Sequence, residues 1–129
     1  MPIYTQLYNN WDYDPAMPVA EITLHSPLRA ELKVSMMALI DSGSDATMLP
    51  AAILKSIGAR HYRGRQVRGI TGQALTVDTY LISIGLGPYT IHGIEAVAMS
   101  QNKEAILGRD VLNQLELTLN GPAQETWIA

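Results

Sequence analysis

The chain contains no cysteine, which excludes a disulfide framework, thiolate zinc sites and thiol nucleophiles together. It also argues against a small secreted domain held by cross-links. No apolar run approaches the ~20 residues that a membrane-spanning helix needs. Charge of one sign is scarce as well. Nine Lys and Arg against twelve Asp and Glu leave a net charge of −3, too mild to imply a nucleic-acid or membrane partner. Residues 1–18 lack the basic start and apolar stretch of a signal peptide and carry Asn9, Asn10, Asp12, Asp14 and scattered prolines. A cytoplasmic protein is the expectation. His25, His61 and His92 have no metal-ligand spacing, and Ser42 and Ser44 do not sit in a strand-to-helix elbow. Neither a metal, another cofactor nor serine-hydrolase chemistry is expected.

What is present suits one domain: 129 residues can bury roughly two thirds of the surface that the unfolded chain exposes. Residues 1–18 read as an aromatic arm with Tyr4, Tyr8, Trp11 and Tyr13, and residues 121–129 as a tail. Between them the pattern turns to period two. Ile22 and Leu24 alternate with Glu21, Thr23 and His25, and Leu28, Ala30, Leu32 and Val34 alternate with Arg29, Glu31, Lys33 and Ser35. Residues 36–40 are continuously apolar, as in a strand covered on both faces. Pro50 and Gly58 bracket a short helix. Strands are expected over 75–86 and 89–99, a polar loop over 100–104 and a short buried strand over 105–107. A helix from Asp110 to about Gln114 leads to a final strand containing Leu115, Leu117 and Leu119. Many short strands with brief helices and no internal repeat indicate a mainly β, barrel-like domain.

The triplet Asp41-Ser42-Gly43 follows the apolar run and occurs once. A carboxylate at the end of a buried strand is costly unless something uses it. Glycine allows close backbone approach, and the serine hydroxyl can act as a hydrogen-bond strut. By itself such a triplet is equally a turn in which the aspartate bonds local amides.

Two further segments narrow the choice. Leu39-Ile-Asp-Ser-Gly-Ser-Asp-Ala-Thr-Met-Leu49 resembles the active-site segment of retroviral-type aspartic proteases, the retropepsins. Gly69-Ile-Thr-Gly72 resembles their flap tip, and Ala105-Ile-Leu-Gly-Arg-Asp-Val-Leu112 with the strand to Leu119 resembles their Gly-Arg-Asn/Asp helix. The three motifs come in the family's order and cover roughly residues 19–120.

The resemblance implies a closed β-barrel-like fold with one or two short helices, active as a symmetric homodimer that hydrolyses peptide bonds. Two adjacent carboxylates share a proton, since both cannot ionise cheaply. One takes a proton from water while the other donates to the peptide oxygen. This chain supplies one such aspartate, because Asp45 lies on the wrong side of the glycine turn. The dyad is therefore expected to be Asp41 with Asp41 of a second chain. By the same resemblance Ser42 locks the two loops across the dyad, and Gly43 lies beside the substrate backbone. Asp45 pairs with Arg109 near the substrate main chain. Gly69, Ile70, Thr71 and Gly72 close over substrate. Leu39, Met48, Val67 and Ile106 line apolar subsites, which implies peptide or unfolded protein cleaved between hydrophobic residues. The terminal segments are expected to interleave between the two chains.

Arg60, Arg63, Arg65 and Arg68 hold four of the nine basic residues at the base of the flap segment. They read as a solvated hairpin face, since Tyr62 alone offers an aromatic for nucleic-acid stacking. The rival readings are a non-catalytic dimerisation module on the same fold and a small nucleic-acid-binding barrel.

Overall fold

The computed structural model describes residues 2–100 and 104–129, so the loop expected over 100–104 lies mostly outside the described residues. Alternating sequence produces strands almost throughout. They are β1 (Tyr4–Leu7), β2 (Val19–Ser26), β3 (Arg29–Ile40) and β4 (Met48–Pro50), followed by helix α1 (Ala51–Ser56). Next come β5 (Arg60–Arg68), β6 (Ala74–Leu86), β7 (Tyr89–Met99) and β8 (Ala105–Leu107). Helix α2 (Arg109–Leu112), β9 (Leu117–Asn120) and β10 (Glu125–Ile128) complete the chain. The fold is mainly β, as the pattern of the sequence implies.

Seven strands form one sheet in the order β2-β3-β8-β4-β7-β6-β5, and β2 also pairs with β6. That second pairing closes strands β2 to β6 into a barrel-like ring and leaves β5 outside it. Inside sit Ile22, Leu24, Leu49, Leu54, Ile82, Ile84, Leu86 and Leu107, all essentially without solvent exposure. Each such side chain stabilises the fold by roughly 1.5–3 kcal/mol relative to leaving it in water. No described helix is long and apolar enough to cross a membrane.

Three expectations need correction. The two segments read separately as 28–34 and 36–40 form one twelve-residue strand, β3. Its first half is open, with Ala30 exposed like Leu28 in the turn before it, because the neighbouring β8 pairs only with Ala38–Ile40. The apolar run 36–40 is also not covered on both faces. Ala38 and Ile40 enter the core, whereas Met37 remains 37% exposed and Leu39 half-buried. Helix α2 begins at Arg109 behind Gly108, not at Asp110, since no side chain caps it.

Two features project from the ring. The hairpin β5–β6 pairs from Arg60↔Leu81 to Arg68↔Ala74, while β7 reaches only as far as Thr79. Beyond Thr79 the hairpin runs on as two strands alone, the segment that the family resemblance reads as the flap. A separate three-stranded sheet has the order β1-β10-β9. The arm and tail therefore meet within one chain, with Tyr4↔Ile128 and Leu7↔Glu125 in register.

Candidate active site

Asp41 owes its position to strand order. β8 lies between β3 and β4, parallel to the first and antiparallel to the second. Residues 41–47 must therefore cross over the end of β8. Asp41 N–H donates to Leu107 O at 3.1 Å, so the crossing begins locked to β8. The Asp41 carboxylate then turns back on its own loop: Gly43 N–H donates to Oδ1 at 2.9 Å. A β-carbon at position 43 would stand 3.2 Å from that oxygen, tight enough to disturb it. The rest of the Asp41 side chain faces solvent.

A second layer holds the loop from below. Arg109 N–H donates to Ser44 O at 2.8 Å, and its guanidinium donates to Ser42 O at 2.7 Å and to Asp45 Oδ1. One arginine thus ties both sides of the glycine turn, which a single-point lysine could not do. Asp110 has a role that helix capping did not anticipate. Its carboxylate accepts Thr47 N–H at 3.0 Å, the buried Thr47 hydroxyl at 2.8 Å and Val111 N–H at 2.9 Å. Thr47 Oγ1 in turn accepts Gly108 N–H at 3.2 Å. Residues separated by more than sixty positions complete this network, and no local pattern in the sequence signals it.

Leu39, Ile106 and Met48 occupy facing positions on β3, β8 and β4. Side chains alternate across a strand. These three therefore share the face opposite the buried Ile40, Leu107 and Leu49, and each is half-buried. They form an apolar row that leads to Asp41, two residues beyond Leu39. Val67 lies elsewhere, on the flap strand β5 opposite Leu75.

At the flap tip, Gly72 N–H donates to Gly69 O at 2.9 Å and Gly69 N–H to Gln73 O at 3.3 Å. Thr71 is exposed, and Ile70 is the most exposed apolar residue described, at 108% of its reference surface. The flap's base is held by a residue that sequence reading missed. Glu95 on β7 accepts Arg63 Nε at 2.8 Å, Arg63 NH2 at 2.9 Å and the buried Thr79 hydroxyl at 2.8 Å. Arg65 NH1 lies 4.0 Å away. The Arg63 guanidinium chiefly, helped by Thr79, holds the Glu95 carboxyl below the ordinary carboxylate range, and partial burial opposes it. Arg68 donates to Gly72 O at 2.9 Å, across the hairpin. Arg60, Arg63 and Arg68 of β5 are exposed and Arg65 is half-buried, but three of the four are engaged by the flap and its base. The available signal was Glu95 itself, a lone carboxylate in the apolar run of β7.

Among the described residues no cluster of His, Asp and Glu could hold a metal ion. Cavities of about 370 and 350 Å³ are lined by Tyr4, Glu21 and Lys33, and by Pro27, Leu28 and Tyr62, among others. Neither includes Asp41.

A closed β ring, a glycine-turn aspartate crossing a strand end and a projecting two-stranded hairpin agree with a retroviral-protease-type fold. The chain belongs to the family described as "gag-polyprotein putative aspartyl protease", which it matches over residues 32–114. Among solved structures it is similar to EIAV protease complexed with the inhibitor HBY-793, with a TM-score of 0.59 and 19% identity. That match covers 81% of this chain and 90% of the other, and at this identity it speaks for the fold alone. No curated protein sequence is significantly similar to this chain.

Proposed function

We propose that the protein is an aspartic endopeptidase whose active site forms when two chains bring their Asp41 carboxylates together. The observation that carries this reading is the exposed Asp41 carboxylate, at the end of an apolar row, on a loop anchored by Arg109 and Gly108. Such anchoring is an investment in position. A lone exposed aspartate on a rigid loop has little chemistry to perform. Two of them, facing across a two-fold axis, share one proton because close like charges resist double ionisation.

Water then lies between the two carboxyl groups. The ionised one takes a proton from water as its oxygen attacks the peptide carbonyl, and the protonated one donates to the carbonyl oxygen. Collapse of the tetrahedral species breaks the C–N bond, with the amine leaving group taking a proton. No acyl-enzyme forms. Ser42 hydroxyls lock the loops across the dyad, and Gly43 leaves room for the substrate backbone. The flap closes with Ile70 over the substrate and excludes bulk water. Leu39, Met48, Ile106 and Val67 make the subsites apolar, so cleavage falls between hydrophobic residues of a peptide or unfolded protein.

Intact-mass analysis of an unfolded protein incubated with the chain, at acidic and neutral pH, tests this reading. Fragments are expected from the wild type, with specific activity rising with concentration, and none from Asp41→Asn. Cleavage that survives the substitution, or that resists pepstatin-like inhibitors, removes the aspartic mechanism. The same spectra report whether the arm is trimmed.

A further inference from the structure

We propose that the outer wall of the ring carries a second binding site, which takes an extended di- or tripeptide with free ends. Glu21 holds its ammonium group and Lys33 its carboxylate. The site goes beyond the aspartic-protease reading and does not depend on Asp41.

Its place is the cavity of about 370 Å³ where β2, β6 and β7 run side by side. Thr23 pairs with Gly85 and Gly85 with Thr90, which makes one row across the three strands. Side chains on one face of a strand recur at every second residue, so Glu21 shares the face of Thr23. Tyr4 of β1 and Tyr89 of β7 also line the cavity. Both rings are fixed. Tyr4 is seated on Gly87, where a β-carbon would stand 3.0 Å from it, and the Tyr89 hydroxyl donates to Ala129 O at 2.7 Å.

Gly85 makes the space. Gly87 has to be glycine, since its φ is +55° and Tyr4 occupies the position a side chain would take. Gly85 is under neither constraint. Its φ lies outside the left-handed region, and a β-carbon there would meet Thr23 Cβ and O at 3.6 Å and Tyr89 O at 4.0 Å, ordinary van der Waals contacts. Glycine inside a strand weakens it and often marks a place where a ligand or another backbone approaches closely. The neighbouring backbones already sit at ordinary distances, so what Gly85 leaves open is the floor of the cavity.

Charge defines the occupant. Glu21 and Lys33 both line the cavity, yet neither forms an ion pair among the described residues. Opposite charges that share a cavity without meeting are complementary to a molecule that carries both. Glu21 pairs with Met37, four residues along β3 from Lys33, which separates the two Cα atoms by ~13 Å along the strands. Side chains reaching inward from both ends shorten that gap. A free amino acid, with both charged groups on one carbon, is still too short, whereas two or three residues at ~3.4 Å each bridge it. The peptide then runs parallel to β2 with its N-terminus at Glu21. The Thr23 and Thr90 hydroxyls lie along its amides.

Amide chemical shifts of the full chain, titrated with trialanine, test the site. Saturable shifts are expected at Thr23, Gly85 and Thr90, equal in wild type and Asp41→Asn and undisturbed by a pepstatin-like inhibitor. Trialanine acetylated and amidated at its ends is expected to bind at least about tenfold more weakly, because Glu21 and Lys33 lose their charged partners. Glu21→Gln and Lys33→Gln, at exposed positions, should each weaken binding about tenfold and leave the melting temperature near wild type. Gly85→Val fills the floor and should abolish binding in a folded chain. Capped trialanine that binds as tightly as free, a folded Gly85→Val chain that still binds, displacement by the inhibitor, or no saturable shift overturns the proposal. If Gly85→Val does not fold, the two charge variants decide. Binding without cleavage of unfolded protein would keep this site and remove the protease reading. Cleavage without trialanine binding would do the reverse.

Discussion

Gly108 lies so close beneath Ala46 that a β-carbon at position 108 would stand 2.6 Å from the Ala46 carbonyl carbon and oxygen and 2.9 Å from Ser44 O. The contact is backbone against side chain, so no rotamer change relieves it. It exists because the Asp41 loop crosses the end of β8 at the residue where α2 begins.

Gly108→Ala is accordingly expected to destabilise the fold by ~1–3 kcal/mol, the usual range for overpacking. A thermal melt would show a transition several degrees lower. An unchanged melting temperature would mean that the loop and α2 are less tightly seated.

Asp110 and Asp41 should respond in opposite ways to loss of charge. Asp110→Ala strands the buried Thr47 hydroxyl and the Thr47 amide, at a cost of ~1–3 kcal/mol for each buried group left unpaired, while Val111 N–H keeps its bond to Gly108 O. Asp41→Asn touches an exposed carboxylate and should leave the melting temperature near wild type while abolishing cleavage. Equal destabilisation by both would contradict the assignment of one to support and the other to chemistry.

Glu95→Gln should loosen the flap without unfolding the ring. Its carboxyl is held below the ordinary 4.5, so the folded state favours the ionised form. That contribution is fully present above 4.5 and is lost as pH falls through the lowered folded-state value. Hydrogen exchange of residues 64–78 should rise on acidification in the wild type, and be high at neutral pH in Glu95→Gln. Because Arg63 is exposed and screened by solvent, the effect on global stability should be small.

Ile70→Ser removes the tip's apolar side chain, which touches nothing in the single chain. Stability is expected to be unchanged and KM for a peptide substrate to rise several-fold. A fall in melting temperature would place Ile70 in the fold and not over the substrate.

The ring was largely legible because period-two alternation is a local property. β2, β6 and β7 begin and end within a residue or so of where their patterns and bounding turns place them. The apolar run 36–40 misled for a physical reason. Continuous hydrophobicity is compatible with burial on two faces or with one buried face and one left partly open, and here Leu39 lies on the partly open one. The arginines of β5 lie on a largely solvated hairpin face, as the sequence implied, but charge counting cannot show that Glu95 on another strand meets Arg63.

The chain's own order of residues determined the strands, the lone Asp41-Ser42-Gly43 turn, the flap glycines and the pairing candidate Arg109. Each depends on neighbours a few positions away. Only tertiary structure decided that β8 separates β3 from β4, and with that the crossing of the Asp41 loop over Gly108. Tertiary structure alone likewise joined Thr47 to Asp110, Arg63 to Glu95 and the arm to the tail. These contacts unite residues distant in sequence, and long-range pairing is set by which strands close the ring, a choice no local pattern encodes.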